Sequence, residues 1–467
     1  MRLTSLGAAG TVSGSAHHLQ LDGQQLLIDC GLFQGDEQTE QRNREPFPFE
    51  AAGLNAVLLT HAHLDHVGRL PLLYRRGFRG PIYCTPPTAR LTATVLRDSA
   101  RLQVDGYTQA LKLARRIGQE RTVPPPLYDE QDVDDVLTLM RPVLHYGQTL
   151  TLGQVRVRPE RAGHILGSAF LVLDSREGRL VMSGDLGRQP SVLQPGYSLP
   201  PEADAVVVES TYGLSRHPTL PQTLAQLAEV LRQAVRRGGK ILMPCFAIER
   251  TQVLLYLLHG LMERGELPRV PVFLDAPMAA RATLSYAEYG AELRPELGAM
   301  LQAGLDPFRP STLHVVTTPL ESQRLNRYDG PAIILAGNGM MTGGRILHHL
   351  RHQLWKPSTT VVAVGYQSPS SLGGQLVGGA AEVEVLGEVV PVKAHIERVS
   401  GLSAHADQAD LQRWLEPTGP AQVWLVHGEP EVMQGFAAVL EAAGRSARPV
   451  PAGQPVELSG AAVPAER

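Results

Sequence analysis

The segment His61-Ala62-His63-Leu64-Asp65-His66 puts three imidazoles and a carboxylate within six residues. The run before it, Ala56-Val57-Leu58-Leu59-Thr60, reads as a short buried strand, so the cluster falls at a strand's C-terminal end, on the lip of a sheet. There, residues i and i+2 face one metal, and the following Asp and His turn toward a second. Imidazole and carboxylate suit zinc, with Zn–N of roughly 2.0–2.1 Å, and two such ions roughly 3.5–4 Å apart can share a hydroxide. One hexapeptide cannot supply every ligand, and taken alone it also fits a cluster of surface histidines.

The rest of the composition narrows the setting. With 467 residues, 43% of them hydrophobic, the chain has material for several domains and a large core. The 43 basic and 46 acidic residues leave a net charge of −3, so no bulk positive field marks a general polyanion binder, and any such site must be local. Met1-Arg2-Leu3-Thr4-Ser5 lacks a secretory pattern and no run reaches the 18 or so apolar residues of a membrane span; a soluble, cytoplasmic protein without a membrane partner is expected. Cys30, Cys84 and Cys245 lie far apart in apolar runs and read as core thiols.

Up to about residue 210 the chain alternates short apolar runs with Gly and Pro: Gln25–Cys30, Ala56–Thr60, Pro81–Cys84, Val155–Val157, Phe170–Leu173, Leu180–Ser183 and Ala205–Glu209 are expected strands. A long helix is expected from about Thr88 to Gly118, ended by Val123-Pro124-Pro125-Pro126. From about Leu220 helix and strand alternate, with strands expected at Lys240–Cys245, Val270–Leu274, Thr312–Val316, Ala332–Leu335 and Thr359–Val364. That rhythm is that of a doubly wound α/β domain.

Three more candidate ligands sit in small-residue turns after strand-like runs: His164 in Gly163-His164-Ile165-Leu166-Gly167-Ser168, Asp185 in Ser183-Gly184-Asp185-Leu186-Gly187, and His427 in Val426-His427-Gly428. The ligand count then closes. His61, His63 and His164 would take one ion, Asp65, His66 and His427 the other, and Asp185 would bridge both.

Taken with Leu27-Ile28-Asp29-Cys30-Gly31, Glu209-Ser210-Thr211-Tyr212-Gly213 and Ser403-Ala404-His405-Ala406-Asp407, these motifs resemble the metallo-β-lactamase superfamily and, within it, the β-CASP nucleases. The resemblance spans nearly the whole chain. It implies an α/β fold: a metallo-β-lactamase αββα sandwich over 1–211 and 393–467, with a doubly wound β-CASP domain inserted at 212–392. It also implies two Zn2+ ions, although manganese or iron suits the same nitrogen and oxygen ligands. Glu209 and His405 are implied to pair beside the metals, with His405 as general acid, Asp185 and Glu209 also in the catalytic set, and Asp29 orienting a ligand histidine from behind. A plainer reading leaves Asp29 as a turn-capping carboxylate and His405 as a buried structural histidine.

Histidine at position 427 is similar to the RNA-processing branch, including the pre-mRNA 3′-end-processing endonuclease, whereas the DNA-repair branch carries valine. The implied activity is a metal-dependent ribonuclease cutting single-stranded RNA held in the interdomain cleft. It would cut mainly internally, with cleavage from the 5′ end as a second mode, leaving a 5′-phosphate and a 3′-hydroxyl. Further matches are Pro244-Cys245-Phe246-Ala247-Ile248-Glu249-Arg250-Thr251-Gln252, Leu274-Asp275-Ala276-Pro277, Gly339-Met340-Met341-Thr342-Gly343-Gly344-Arg345 and Gly365-Tyr366-Gln367. In these, Arg250, Asn338 and Arg345 are candidate RNA contacts, set against ordinary salt-bridged roles for the arginines. The chain departs from the family in Asn338-Gly339-Met340, where Ser-Gly-Met is usual, and in Gly374, where a basic residue tends to follow Leu-Gly. His17-His18 is read as a surface pair or a cleft lining. Two other classes fit less of the chain: a hydrolase of small esters or thioesters leaves Glu209, His405 and the inserted domain without a purpose, and a non-catalytic RNA-binding scaffold fits poorly with a full ligand set.

Overall fold

The structure, a computed structural model, describes residues 1–458 apart from 117, 120, 121, 366, 369 and 370; Tyr366 of the Gly365-Tyr366-Gln367 motif thus lies outside the described residues. The chain divides into two compact units. The first comprises Met1–Ser191, Gly196–Arg216 and the residues from His405 onward; the second comprises Val192–Pro195 and His217–Ala404. Among the described residues no helix is long and apolar enough to cross a membrane.

Two seven-stranded sheets build the first unit. One runs in the order Pro455–Glu457, Arg2–Gly7, Ala16–Leu21, Gln24–Ile28, Ala56–Leu58, Ile82–Tyr83, Met140–Arg141; the other in the order Ala447–Pro449, Gln422–Val426, Ala205–Glu209, Gly178–Met182, Ala169–Ser175, Val155–Arg161, Leu150–Leu152. Alternate residues of both sheets share one core: Leu3, Leu19, Leu26 and Leu58 of the first meet Val157, Leu171, Leu180 and Val207 of the second. On the outer face of the second sheet, Phe170, Val206 and Val423 pack with Trp414 and Phe436 from the helices Gln408–Leu415 and Pro430–Ala442. The result is the αββα sandwich expected.

Parallel pairing is what gathers the candidate ligands. Strands Gln24–Ile28 and Ala56–Leu58 run parallel, as do Gly178–Met182, Ala205–Glu209 and Gln422–Val426, so each group delivers its following residues to one end of its sheet. The long helix spans Pro86–Arg116; proline is well placed in a first turn, so the helix starts two residues before the expected Thr88.

In the second unit six strands form one parallel sheet in the order Leu313–Val315, Val272–Asp275, Ala332–Ala336, Lys240–Pro244, Thr360–Ala363, His395–Arg398. Helix Leu220–Arg237 precedes it, opened by a capping box of Thr219 and Gln222 and closed by Gly238 at φ 77°. Its sheet and helices bury Leu242, Ile334, Ile346, Leu350 and Val361 in one core, the doubly wound pattern the alternating sequence rhythm implies.

Candidate metal centre

Most candidate ligands stand just beyond a strand of the first unit, and Asp65 and His66 lie in the short helix Leu64–Val67 that follows His63. His61 and His63 follow Ala56–Leu58, Asp185 follows Gly178–Met182, and His427 directly follows Gln422–Val426. His164 lies in the turn between Val155–Arg161 and Ala169–Ser175, where Ser168 Oγ accepts from its backbone N–H at 3.0 Å. Asp29 and His427 have φ of 60° and 52°, a region non-glycine residues enter at a cost and which recurs at functional sites. The loops also approach closely: a Cβ on Gly31 would lie 1.5 Å from Asp65 O, and one on Gly187 would lie 1.8 Å from Gly163 O. Glycine is required at both.

Two groups of donor atoms result. In the first, His63 Nδ1 lies 3.1 Å from His61 Nε2 and 3.2 Å from His164 Nε2, while Asp185 Oδ2 lies 3.5 and 3.6 Å from those two Nε2 atoms. In the second, His427 Nε2 lies 3.3 Å from both His66 Nε2 and Asp65 Oδ2, His66 Nε2 lies 3.8 Å from Asp65 Oδ2, and Asp185 Oδ1 lies 3.4 and 3.7 Å from the two imidazoles. A tetrahedral ion with bonds of about 2.0–2.1 Å spaces its ligands about 3.3–3.4 Å apart. The separations in the two sets, 3.1–3.6 and 3.3–3.8 Å, scatter about that spacing, and each set includes one oxygen of Asp185.

Hydrogen bonds behind the site show which ring nitrogens carry protons. Asp29 accepts at 2.8 Å from both the backbone N–H and the hydroxyl of Thr60, and at 2.7 Å from His66 Nδ1. Since the Thr60 proton goes to Asp29, its oxygen is left to accept from His61 Nδ1 at 3.1 Å. Thr211 repeats the device: its hydroxyl donates to His427 O at 3.1 Å and accepts from His427 Nδ1 at 3.0 Å. In the neutral form of all three imidazoles Nε2 carries the lone pair and faces inward, the state a metal ligand needs. The exception is His164, whose buried Nδ1 has no hydrogen-bond partner.

Lone pairs packed together in a buried pocket repel unless a cation or proton lies among them. Burial and the neighbouring imidazoles hold His61 and His164 well below the usual histidine range. His66 is raised well above it: burial opposes the charge, but Asp185, Asp29 and Asp65 outweigh burial. Burial likewise opposes ionisation of Asp185, yet His427, His66 and His61 keep its carboxyl well below the ordinary value. Asp185 Oδ1 is buried without a hydrogen bond of ordinary geometry. The buried acceptors fit divalent cations: His61, His63, His164 and Asp185 form one group that can hold an ion, Asp65, His66 and His427 another, and Asp185, Glu209 and His427 a third that overlaps them.

Beside these groups lies a separate pair. His405 Nδ1 is 3.0 and 3.2 Å from the two carboxylate oxygens of Glu209, which also accepts from the Leu186 N–H at 2.6 Å. Burial opposes protonation of His405, but Glu209 foremost, then Asp185 and Asp65, carry it up to about 9. A bridge between Gly187 and His405 fixes the segment, and Asp407 caps the helix Gln408–Leu415 that comes next.

Residues 18–188 match the metallo-β-lactamase superfamily domain, residues 251–376 the Beta-Casp domain, and residues 389–450 a domain described as Zn-dependent metallo-hydrolase RNA specificity domain. The chain is 42% identical over 445 residues to a protein of Thermus thermophilus named Ribonuclease TTHA0252, covering 95% of this chain and 97% of that one. The chain belongs to the β-CASP family of the metallo-β-lactamase superfamily. This β-CASP protein is also 31% identical over 456 residues to the transcription termination factor FttA of Pyrococcus abyssi, covering 92% of this chain and 67% of that protein. In fold it resembles the crystal structure of a protein of unknown function from Enterococcus faecalis V583, at 14% identity, TM-score 0.53 and coverage of 97% and 99%.

The three candidate RNA contacts of this β-CASP protein lie in the second unit. Arg345 donates from Nη1 to Asp275 Oδ1 at 2.6 Å and to Val316 O at 3.3 Å, and from Nη2 to Thr317 O at 3.4 Å. The amide oxygen of Asn338 accepts from the Met340 N–H at 2.7 Å, closing its own turn. Arg250 opens the helix Arg250–Glu263. His17 departs from the surface reading: the strand's period of two sets it with Leu19 and Leu21 on the buried face, between Ser5 Oγ at 2.8 Å and Ser15 Oγ at 3.2 Å. Burial, with His66 and His427 nearby, lowers it to about 3. The roles of the supporting hydroxyls escaped the sequence reading, although Thr60 adjoins the hexapeptide and Thr211 lies within Glu209-Ser210-Thr211-Tyr212-Gly213. All three cysteines are buried, as core residues.

Proposed function

We propose that the chain is a metal-dependent ribonuclease that hydrolyses phosphodiester bonds of single-stranded RNA, mainly at internal positions. The observation that carries the proposal is Asp185, whose two oxygens serve two donor sets at tetrahedral spacing while the Glu209–His405 pair stands alongside. His61, His63, His164 and Asp185 would hold one ion, and Asp65, His66, His427 and Asp185 the other; zinc fits this donor chemistry. Two such ions supply a hydrolytic nucleophile near neutral pH and neutralise charge on the phosphoryl group.

The chain's own residues supply the rest. Glu209 accepts from His405 Nδ1, which leaves Nε2 as the atom that donates a proton to the departing oxygen, so that a 5′-phosphate and a 3′-hydroxyl result. The buried Glu209 is itself held by the Leu186 N–H and aims the imidazole rather than exchanging protons with solvent. Asp29, Thr60 and Thr211 keep His66, His61 and His427 in the tautomer that binds. RNA is favoured as substrate by the match of residues 389–450 to an RNA specificity domain and by the likeness to a protein named a ribonuclease.

The test is cleavage of matched 5′-labelled single-stranded RNA and DNA by zinc-loaded protein, beside His405→Ala. Expected are internal cuts in RNA that fall by about 10²–10⁴-fold in the variant while its bound metal is unchanged. Intact RNA in the presence of bound zinc would overturn the proposal, and equal cutting of DNA would overturn its substrate.

A further inference from the structure

Phe246 is the one of the chain's nine phenylalanines that is exposed, at 42%. It stands just past the strand Lys240–Pro244, whose neighbours in the sheet are Ala332–Ala336 and Thr360–Ala363. From that strand the chain passes through helix Arg250–Glu263 to Val272–Asp275 on one side. From Ala332–Ala336 it passes through helix Arg345–Gln353 to Thr360–Ala363, in the opposite sense across the sheet. Right-handed crossovers put these two helices on opposite faces. The loops at the carboxyl ends of these adjacent strands therefore diverge, and in doubly wound sheets that point is where ligands bind.

The loop that carries Phe246 is tightly held. Cys245 N donates to Ala336 O at 3.0 Å, Phe246 O accepts from Thr251 N at 3.2 Å and Thr251 Oγ1 at 2.7 Å, and Gln252 Nε2 donates to Ala247 O at 3.0 Å. Glu249, at φ 64°, closes the loop with a buried carboxylate that accepts from Tyr286 OH at 2.6 Å and Gln194 Nε2 at 2.9 Å. The ring itself rests on Gly339 of the facing loop: a Cβ there would come within 2.7 Å of two ring carbons. A large apolar ring is thus kept in the solvent by a backbone bonded on every side and seated on a residue without a side chain. Hydrophobic collapse would have favoured burying it.

We infer that Phe246 is a stacking platform for one nucleobase of a single-stranded RNA at this switch point, a reading that rests on the ribonuclease proposal for the substrate. A flat apolar surface on a pre-ordered loop suits an unstacked base of any identity, since every base offers a π-face. The site selects single strands over duplex and is indifferent to sequence.

The experiment uses the full-length protein with chelator present, so that RNA is bound without being cut, and a set of short RNAs in which 2-aminopurine is moved one position at a time. Fluorescence quenching of 2-aminopurine on binding is expected in the wild type and in Phe246→Trp. It should be absent in Phe246→Leu, with binding roughly tenfold weaker, in the range stacking of one base supplies. An unchanged thermal midpoint shows that the leucine variant is folded. RNA that binds with equal quenching in Phe246→Leu, or with no quenched position at all, overturns the inference and leaves the ribonuclease proposal standing. RNA that is neither bound nor, with zinc restored, cut overturns both.

Discussion

In each unit a buried aspartate, Asp185 in the first and Asp275 in the second, meets histidine, and the two are satisfied in opposite ways. In the second unit Asp275 receives Arg345 Nη1 and Ser322 Oγ at 2.6 Å and His349 Nε2 at 2.7 Å, and His349 in turn meets Asn326 Oδ1 at 3.2 Å. Both oxygens of the Asp275 carboxylate thus face protons that the protein brings. Around Asp185 in the first unit, Asp29, Thr60 and Thr211 take the protons at the backs of the rings, and in the neutral rings the nitrogens that face the carboxylate are lone pairs. A buried carboxylate ringed by donors is a strut. The same carboxylate ringed by lone pairs is a place for cations.

The strongest way to break this contrast is Asp185→Asn, which keeps the shape and removes the shared charge. Hydrolysis of RNA should fall below detection, by more than the roughly 10–100-fold that loss of a residue behind a metal ligand costs, without a drop in the thermal midpoint of the metal-free protein. Next in size is Asp275→Ala, which strands the Arg345 guanidinium beside His349. Calorimetry or chemical denaturation should show about 3–5 kcal/mol of lost stability with bound metal per folded chain unchanged. Loss of metal in that variant would show that the two networks are not separate. Asp29→Asn sharpens the comparison from the other side: it leaves one amide oxygen for the three donors that Thr60 and His66 bring to the carboxylate, and metal affinity should weaken by about 10–100-fold while the fold persists.

The smallest effect is one of pH. Burial would raise the Asp275 carboxyl, but His349, Ser322 and Arg345 hold it below the ordinary value. A depressed carboxylate contributes stability that is complete above the unfolded pKa of about 3.9 and is lost as pH falls through the folded value. The stability of the wild type relative to Asp275→Ala should therefore be level above about pH 4 and shrink below it. A difference that grows on acidification contradicts this assignment.

Much of this was legible in the sequence because the chemistry sits at strand ends. Ala56–Leu59 and Ala205–Val208 are unbroken apolar runs, and the residues after each must emerge at a sheet's lip; the seven side chains from His61 to His427 that the fold gathers are all legible from such strand ends and the turns that follow them. The first two strands, Arg2–Gly7 and Ala16–Leu21, are not, since the polar Ser5 and His17 stand at inward positions and interrupt their apolar alternation. For the same reason His17 reads as a surface residue although it lies in the core. Which arginine is committed to a carboxylate is a matter of tertiary contact: nothing in Gly343-Gly344-Arg345 reveals that Asp275, seventy positions earlier, receives the guanidinium. Phe246 is hidden for the converse reason. An aromatic residue at a strand end reads as core, and only the divergence of two loops leaves it in solvent.

The most direct test of the central contrast is the divalent metal bound per chain, measured by elemental analysis of the full-length protein after dialysis against zinc and then against buffer, beside Asp185→Asn and Asp275→Ala. The account predicts two ions in the wild type and in Asp275→Ala, and fewer in Asp185→Asn. A folded wild type that retains none, or an Asp185→Asn variant that retains both, would contradict it.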